Sequence, residues 1–215
     1  MSMGFLSVSA DGPIARSPME VPARAAGARF EVRDGWNVAV EFPGDPSSAV
    51  GWVDVSHLRK QELHATAAEL DATGRLRFGE AVRDGDAWWC RLTATRALVI
   101  GGAETVSGAL DVTSTFAALT LVGPLARETF ARFCALALRP AKTPVRALRP
   151  GSIARQPAIL IREDEERYLF LFGWATGEYM WSVIADAAGH LGGGPLGADA
   201  LASLTPAGLE EATNA

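Results

Sequence analysis

The chain has two cysteines, Cys90 and Cys134, in 215 residues. Two thiols exclude a disulfide framework, and alone they cannot complete a zinc site. The three histidines, His57, His64 and His190, stand at no ligand spacing with them, so no metal is expected. Lysine is scarce too: Lys60 and Lys142 are the two present, and arginine supplies the other basic side chains. The net charge is −5, whereas a phosphate-backbone surface needs clustered Lys and Arg, so nucleic acid is not an expected partner. No apolar run reaches the ~20 residues that span a bilayer. No basic segment leads into an apolar stretch at the N-terminus. The expectation is a cytoplasmic chain with no membrane partner.

What is present suits one folded unit. Apolar residues make up 48% and charged residues 21%, ordinary values for a globular domain of this length. Arginine can fork onto planar anions such as carboxylates, although a GC-rich genome would raise its count as well.

The first 18 residues, rich in Gly, Ser, Ala and Pro, read as a flexible arm, and 205–215 as a tail. Between them, 19–204 reads as one domain. Phe30, Val32, Val38, Val40 and Phe42 alternate about Asp34-Gly35, a hairpin pattern. Residues 51–58 read as a short strand, and 62–70 has no clear period. A second hairpin flanks 83–86, and 97–100 reads as a buried strand. Residues 116–122 predict a strand, and Pro124 a helix start. Apolar spacing over 125–138 then predicts a helix that ends at Pro140. One strand is predicted over 152–162, an acidic hairpin tip over 163–166, a return strand over 168–173 and a helix over 177–188. The run of glycines at 192–197 lacks the Lys-Ser/Thr ending of a phosphate loop and reads as a turn. This order predicts an α+β fold with mainly antiparallel sheet and a ferredoxin-like β-α-β-β-α unit in the second half.

Five segments, in order, carry a family resemblance. They are Ser17-Pro18-Met19, GWNVAVEFPG at 35–44, VDVSHLRKQEL at 53–63, ALTLVGPLARETFARF at 118–133 and GPLGADALASL at 194–204. Together they resemble the glycine-cleavage T-protein family, the folate-dependent aminomethyltransferases. The resemblance implies the family's N-terminal folate-binding fold, with tetrahydrofolate as a possible cofactor. By that resemblance Asp54, His57, Glu163 and Trp174 are the candidate folate-binding residues. Glu163 would grip the donor edge of the pterin, because a carboxylate accepts two N–H bonds at once; alone it reads as a solvated acidic turn. His57 reads as a pocket contact or a hydrogen-bonded structural residue, and Asp54 as a turn cap or pocket residue. Trp174 and Trp181 are ring platforms, interface residues or core. Cys90 and Cys134 read as small buried hydrophobes.

The chain departs from the family pattern at the paired aspartates associated with one-carbon transfer. In their place stand Asp84 and Asp86, in a hairpin turn that favours Asp by itself. No catalytic residue is therefore expected. The family also continues into a C-terminal barrel domain beyond the length read here. These departures, and the stretch 88–100, are similar to the gamma-subunit group of heterotetrameric sarcosine oxidases. That likeness implies a non-catalytic accessory subunit of a flavin- and folate-dependent amine oxidase or demethylase. FAD or FMN would sit on larger flavoprotein partners in a hetero-oligomer. The alternative is a stand-alone tetrahydrofolate-dependent aminomethyl or methyl transferase.

Overall fold

The computed structural model describes residues 13–44 and 49–203. The expectations for 1–12 and for 205–215 fall outside these residues. Three sheets form the body. A short parallel strand, β1 (Ala15–Arg16), lies inside the segment expected as an arm and precedes α1 (Glu20–Ala25). Next come β2 (Arg29–Arg33) and β3 (Trp36–Glu41), and the first sheet has the order β1-β3-β2. Asp34 and Gly35 both take positive φ, which closes the predicted hairpin in the hand that suits strand twist.

The chain then runs through β4 (Gly51–Asp54), β5 (Lys60–His64), α2 (Ala67–Ala72), β6 (Ala81–Asp84), β7 (Ala87–Arg91), β8 (Arg96–Gly101) and β9 (Leu110–Asp111). The strand expected over 51–58 stops at Asp54, whose Oδ1 accepts the Ser56 N–H at 2.9 Å and turns the chain. The stretch without a clear period resolves into β5 and α2. Thr66 and Glu69 start α2 with a reciprocal capping box. The second half holds β10 (Phe116–Val122), α3 (Ala126–Ala131), β11 (Leu148–Ile153), β12 (Gln156–Asp164), β13 (Arg167–Gly173), α4 (Gly177–Gly189), β14 (Gly194–Pro195) and α5 (Ala198–Ser203).

Two predicted elements differ here. The helix expected to reach Leu138 is a short α3. Beyond it Cys134 bridges Ile153, and Phe133 O accepts from the Ala154 N–H at 2.8 Å. The single strand expected over 152–162 is part of a hairpin, β11–β12, turning through Ala154 and Arg155 at φ 49 and 62.

The six-stranded sheet has the order β11-β12-β13-β10-β4-β14, and the five-stranded sheet the order β6-β7-β8-β5-β9. Pairing in both is mainly antiparallel; β14 on β4 is parallel. The expected succession strand, helix, hairpin, helix is present. However, β11 is an extra strand, and β4 from the first half lies between β10 and the edge strand β14.

Alternation sorts the side chains of the six-stranded sheet into two cores. Leu119, Leu121, Tyr168, Phe170, Phe172, Leu160 and Trp52 face α1, α3 and α4, where Phe130, Met180, Trp181 and Ile184 meet them. Ala118, Leu169, Leu171, Ile161, Val53 and Val55 face the five-stranded sheet, which supplies Trp88, Cys90, Leu98 and Ile100. Trp89, Ala97 and Val99 point the other way, onto Leu70 of α2. The central strands read as unbroken apolar runs because both of their faces are buried. Each large apolar side chain fully buried there contributes roughly 1.5–3 kcal/mol. At the far end, Gly197 lies so close to Val40 that an added Cβ would stand 1.9 Å from its carbonyl oxygen. That approach lets α5 pack on β3. Arg33 secures the contact with an ion pair to Asp199 at 2.7 Å.

Candidate functional site

The turn between β4 and β5 carries His57 out of the cores to the junction of the three sheets. Its anchors are local. Ser56 is buried and accepts the Ala118 N–H at 3.1 Å, tying the turn to β10. Leu58 N–H donates to Val55 O at 3.0 Å. Side chains at 56 and 57 diverge here because of turn geometry, not because of strand alternation.

His57 lines two adjoining clefts. The larger, of about 840 Å³, is walled by turn and strand-end residues, among them Asp34, Trp36, Arg59, Asp86, Asp111 and Thr113. The smaller, of about 270 Å³, runs beneath it between the two large sheets and is lined by Arg83, Trp88, Glu163 and Arg167. Leu58, Asp86 and Gly101 are shared, so the two form one continuous site. The larger volume falls in the range of small-molecule pockets, roughly 300–1,000 Å³.

Burial pushes the His57 imidazole down to about 4, helped by the charges of Lys60 and Arg33 and opposed by Asp34. At neutral pH the ring is uncharged and offers one donor and one acceptor. Beneath it Lys60 is fully buried, and burial lowers its ammonium to about 8 against the pull of Asp54 and Asp111.

Glu163 is engaged from within. Its Oε1 accepts the Trp88 indole N–H at 2.8 Å, and its Oε2 accepts Arg167 Nε at 2.9 Å. The side chain is only 9% exposed. This is the bond that joins β7 of one sheet to β12 of the other, and Arg83 lies 5.0 Å above the Trp88 ring. Asp54 lines neither cleft. It bonds toward Ser17 and the Ser56 N–H, and burial raises its carboxyl above the ordinary value despite those bonds. Trp174 also lines neither cleft; it stands behind Trp36, with ring centroids 5.9 Å apart. Of the four sequence candidates, the structure thus brings His57 and Glu163 to one site. It sets Trp174 one ring away and Asp54 on the opposite face of the sheet.

The paired aspartates of the β6–β7 turn are dissimilar. Asp84 is ion-paired with Arg75 at 2.8 Å, whereas Asp86 is 97% exposed at the rim shared by both clefts. Cys90 is buried and its thiol is pushed up by burial, as a small hydrophobe would be. Among the described residues no group of three or more His, Cys, Asp or Glu gathers in metal-binding fashion, and no helix is long and apolar enough to cross a membrane. Trp36 and Trp88, which line the clefts, and Lys60 beneath them are among the residues that sequence reasoning did not select. For Lys60 a signal existed, as one of two lysines beside a largely apolar strand.

No family model and no curated sequence matches the chain. Solved structures do. A chain of the heterotetrameric sarcosine oxidase from Corynebacterium sp. U-96, in complex with pyrrole 2-carboxylate, is similar with a TM-score of 0.62 and 24% identity, over 81% of this chain and 95% of that one. The glycine cleavage system aminomethyltransferase T from Bartonella henselae is similar with a TM-score of 0.69 and 14% identity, over 87% of this chain and 60% of that one. This chain thus spans about three-fifths of the transferase's length. The T-protein-like fold implied by the five sequence segments is the fold that the chain adopts.

Proposed function

We propose that the chain is an accessory subunit of a multi-subunit amine oxidase or demethylase of the sarcosine-oxidase type. The observation that carries this reading is the match to 95% of one chain of a heterotetrameric sarcosine oxidase. A unit of this fold serves there as part of an assembly. In keeping with such a role, Asp84 is held by Arg75; in this reading the flavin chemistry would belong to larger partner subunits.

A bound folate is tested by the donor set. The cleft has the volume, and His57 and Trp36 offer a hydrogen-bonding ring and an aromatic face. Glu163 does not fit the pterin clamp, since Trp88 and Arg167 already hold both of its oxygens. Asp54 and Trp174 border neither cleft. The four candidate residues therefore do not fit as one folate-binding set, and no chemical step is assigned to folate here.

The deciding experiment is co-expression of the tagged chain with the products of its neighbouring genes. Co-elution of a yellow complex that consumes oxygen with a secondary amine is expected. A stable monomer that recruits no flavoprotein overturns the reading. A stand-alone tetrahydrofolate-dependent transferase has one observation in its favour, the exposed Asp86 at the rim of both clefts. Calorimetric heat with tetrahydrofolate, together with turnover lost in Asp86→Ala, would establish that alternative.

A further inference from the structure

We propose that Lys60 is the positioning residue of the cleft, its ammonium gripping from inside the protein the carbonyls on either side of His57. Nζ donates to Ser56 O at 2.8 Å and to Leu58 O at 2.8 Å, so the two bonds bracket the imidazole in sequence. The side chain is 0% exposed. Its own backbone is fixed by Thr113, whose Oγ1 accepts the Lys60 N–H at 3.0 Å, and by pairing with Ile100.

A buried ammonium is costly, and a methionine of similar length would fill the same space without a charge. What methionine cannot do is satisfy two inward carbonyls of a tight turn. With Ser56 anchored on β10 and Lys60 below, the turn is held on both sides of His57. Burial disfavours imidazolium first and the same cation adds to it, so His57 presents a neutral ring to the cleft. The charged groups around the pair are Asp54 at the end of β4, Asp111 on β9, Arg33 and Asp34 on the β2–β3 hairpin and, in the clefts that His57 lines, Arg59, Asp86, Arg83, Glu163 and Arg167. The functional meaning of this inference rests on the cleft being the working site. Its test involves neither partner nor ligand, so the proposed assembly can fail while the turn result stands.

The test is histidine side-chain NMR across pH, with exposed His64 and His190 as internal references. In the unmodified protein the His57 signals are expected to be flat from pH ~5.5 to ~7 and to shift with a midpoint near 8 as Lys60 loses its proton. In Lys60→Met that step disappears, and the His57 midpoint rises from about 4, by roughly half to one pH unit, toward ~6.5. Lys60→Arg keeps the low midpoint without the step near 8. A step near 8 that persists in folded Lys60→Met, or an unmoved His57 midpoint there, overturns the proposal. If Lys60→Met does not fold, the unmodified protein decides alone: flat His57 signals from pH ~7 to ~9 overturn it.

Discussion

Glu163 serves the fold rather than a ligand. Bound by an indole and a guanidinium, it is a cross-sheet fastener whose acceptors face inward. Glu163→Gln keeps the shape and removes the charge, and is expected to cost about 1–3 kcal/mol. Trp88→Phe removes the other end of one bond at similar cost. The double variant should cost less than the sum of the two, as residues sharing a bond do; thermal or urea unfolding of the four proteins checks this. Full additivity would mean that the pair does not interact. Tyr168 gives the opposite expectation. Its hydroxyl is buried and lacks a hydrogen-bond partner, although the ring packs on Phe130 and Arg162. Tyr168→Phe should therefore be neutral or stabilising by up to about 1 kcal/mol, measured by urea denaturation.

Elements were legible where local signals agreed. β10 was predicted over the residues that it occupies, and α4 within one residue, because β-favouring residues, Pro124 and a helical stripe mark them without competition. The β11–β12 hairpin was hidden because its turn has neither Gly nor Asn. Ala154 and Arg155 instead take left-handed conformations that L-residues enter at a cost. Ala154 is committed to the core, but Arg155 is exposed. Arg155→Gly should stabilise the protein by roughly 0.5–1 kcal/mol, read as a higher unfolding midpoint. The far half of the expected α3 failed for a tertiary reason: the Cys134–Ile153 bridge captures its backbone, and no local pattern announces such a pairing. The site divides in the same way. His57 came from a motif, whereas Trp88 reaches Glu163 across 75 positions of sequence, beyond any local period.

At the scale of the whole molecule, the buried titratable groups set a pH response. The folded His57 takes a proton only near 4, while an unfolded histidine takes one near ~6.5. As pH falls from ~6.5 to 4 the unfolded state binds more protons, so stability falls across that window. Asp54 has the opposite sign, because its raised carboxyl favours the folded state as it protonates in acid. The net expectation is a decline in unfolding midpoint below pH ~6.5 that flattens in His57→Asn. Scanning calorimetry of both proteins between pH 4.5 and 7.5 checks it, and parallel curves would contradict it.

The cleft is walled by the tips of hairpins, while nearly all of the stabilising apolar surface lies in strand interiors and on helix faces. Recognition and foldability are therefore written in separate sets of residues. A lineage could exchange Asp86 or Arg59 one at a time without disturbing either core, and so change what it binds while keeping its architecture. The exception is the Trp88–Glu163–Arg167 fastener, which belongs to both sets, and there innovation and integrity would compete for the same atoms.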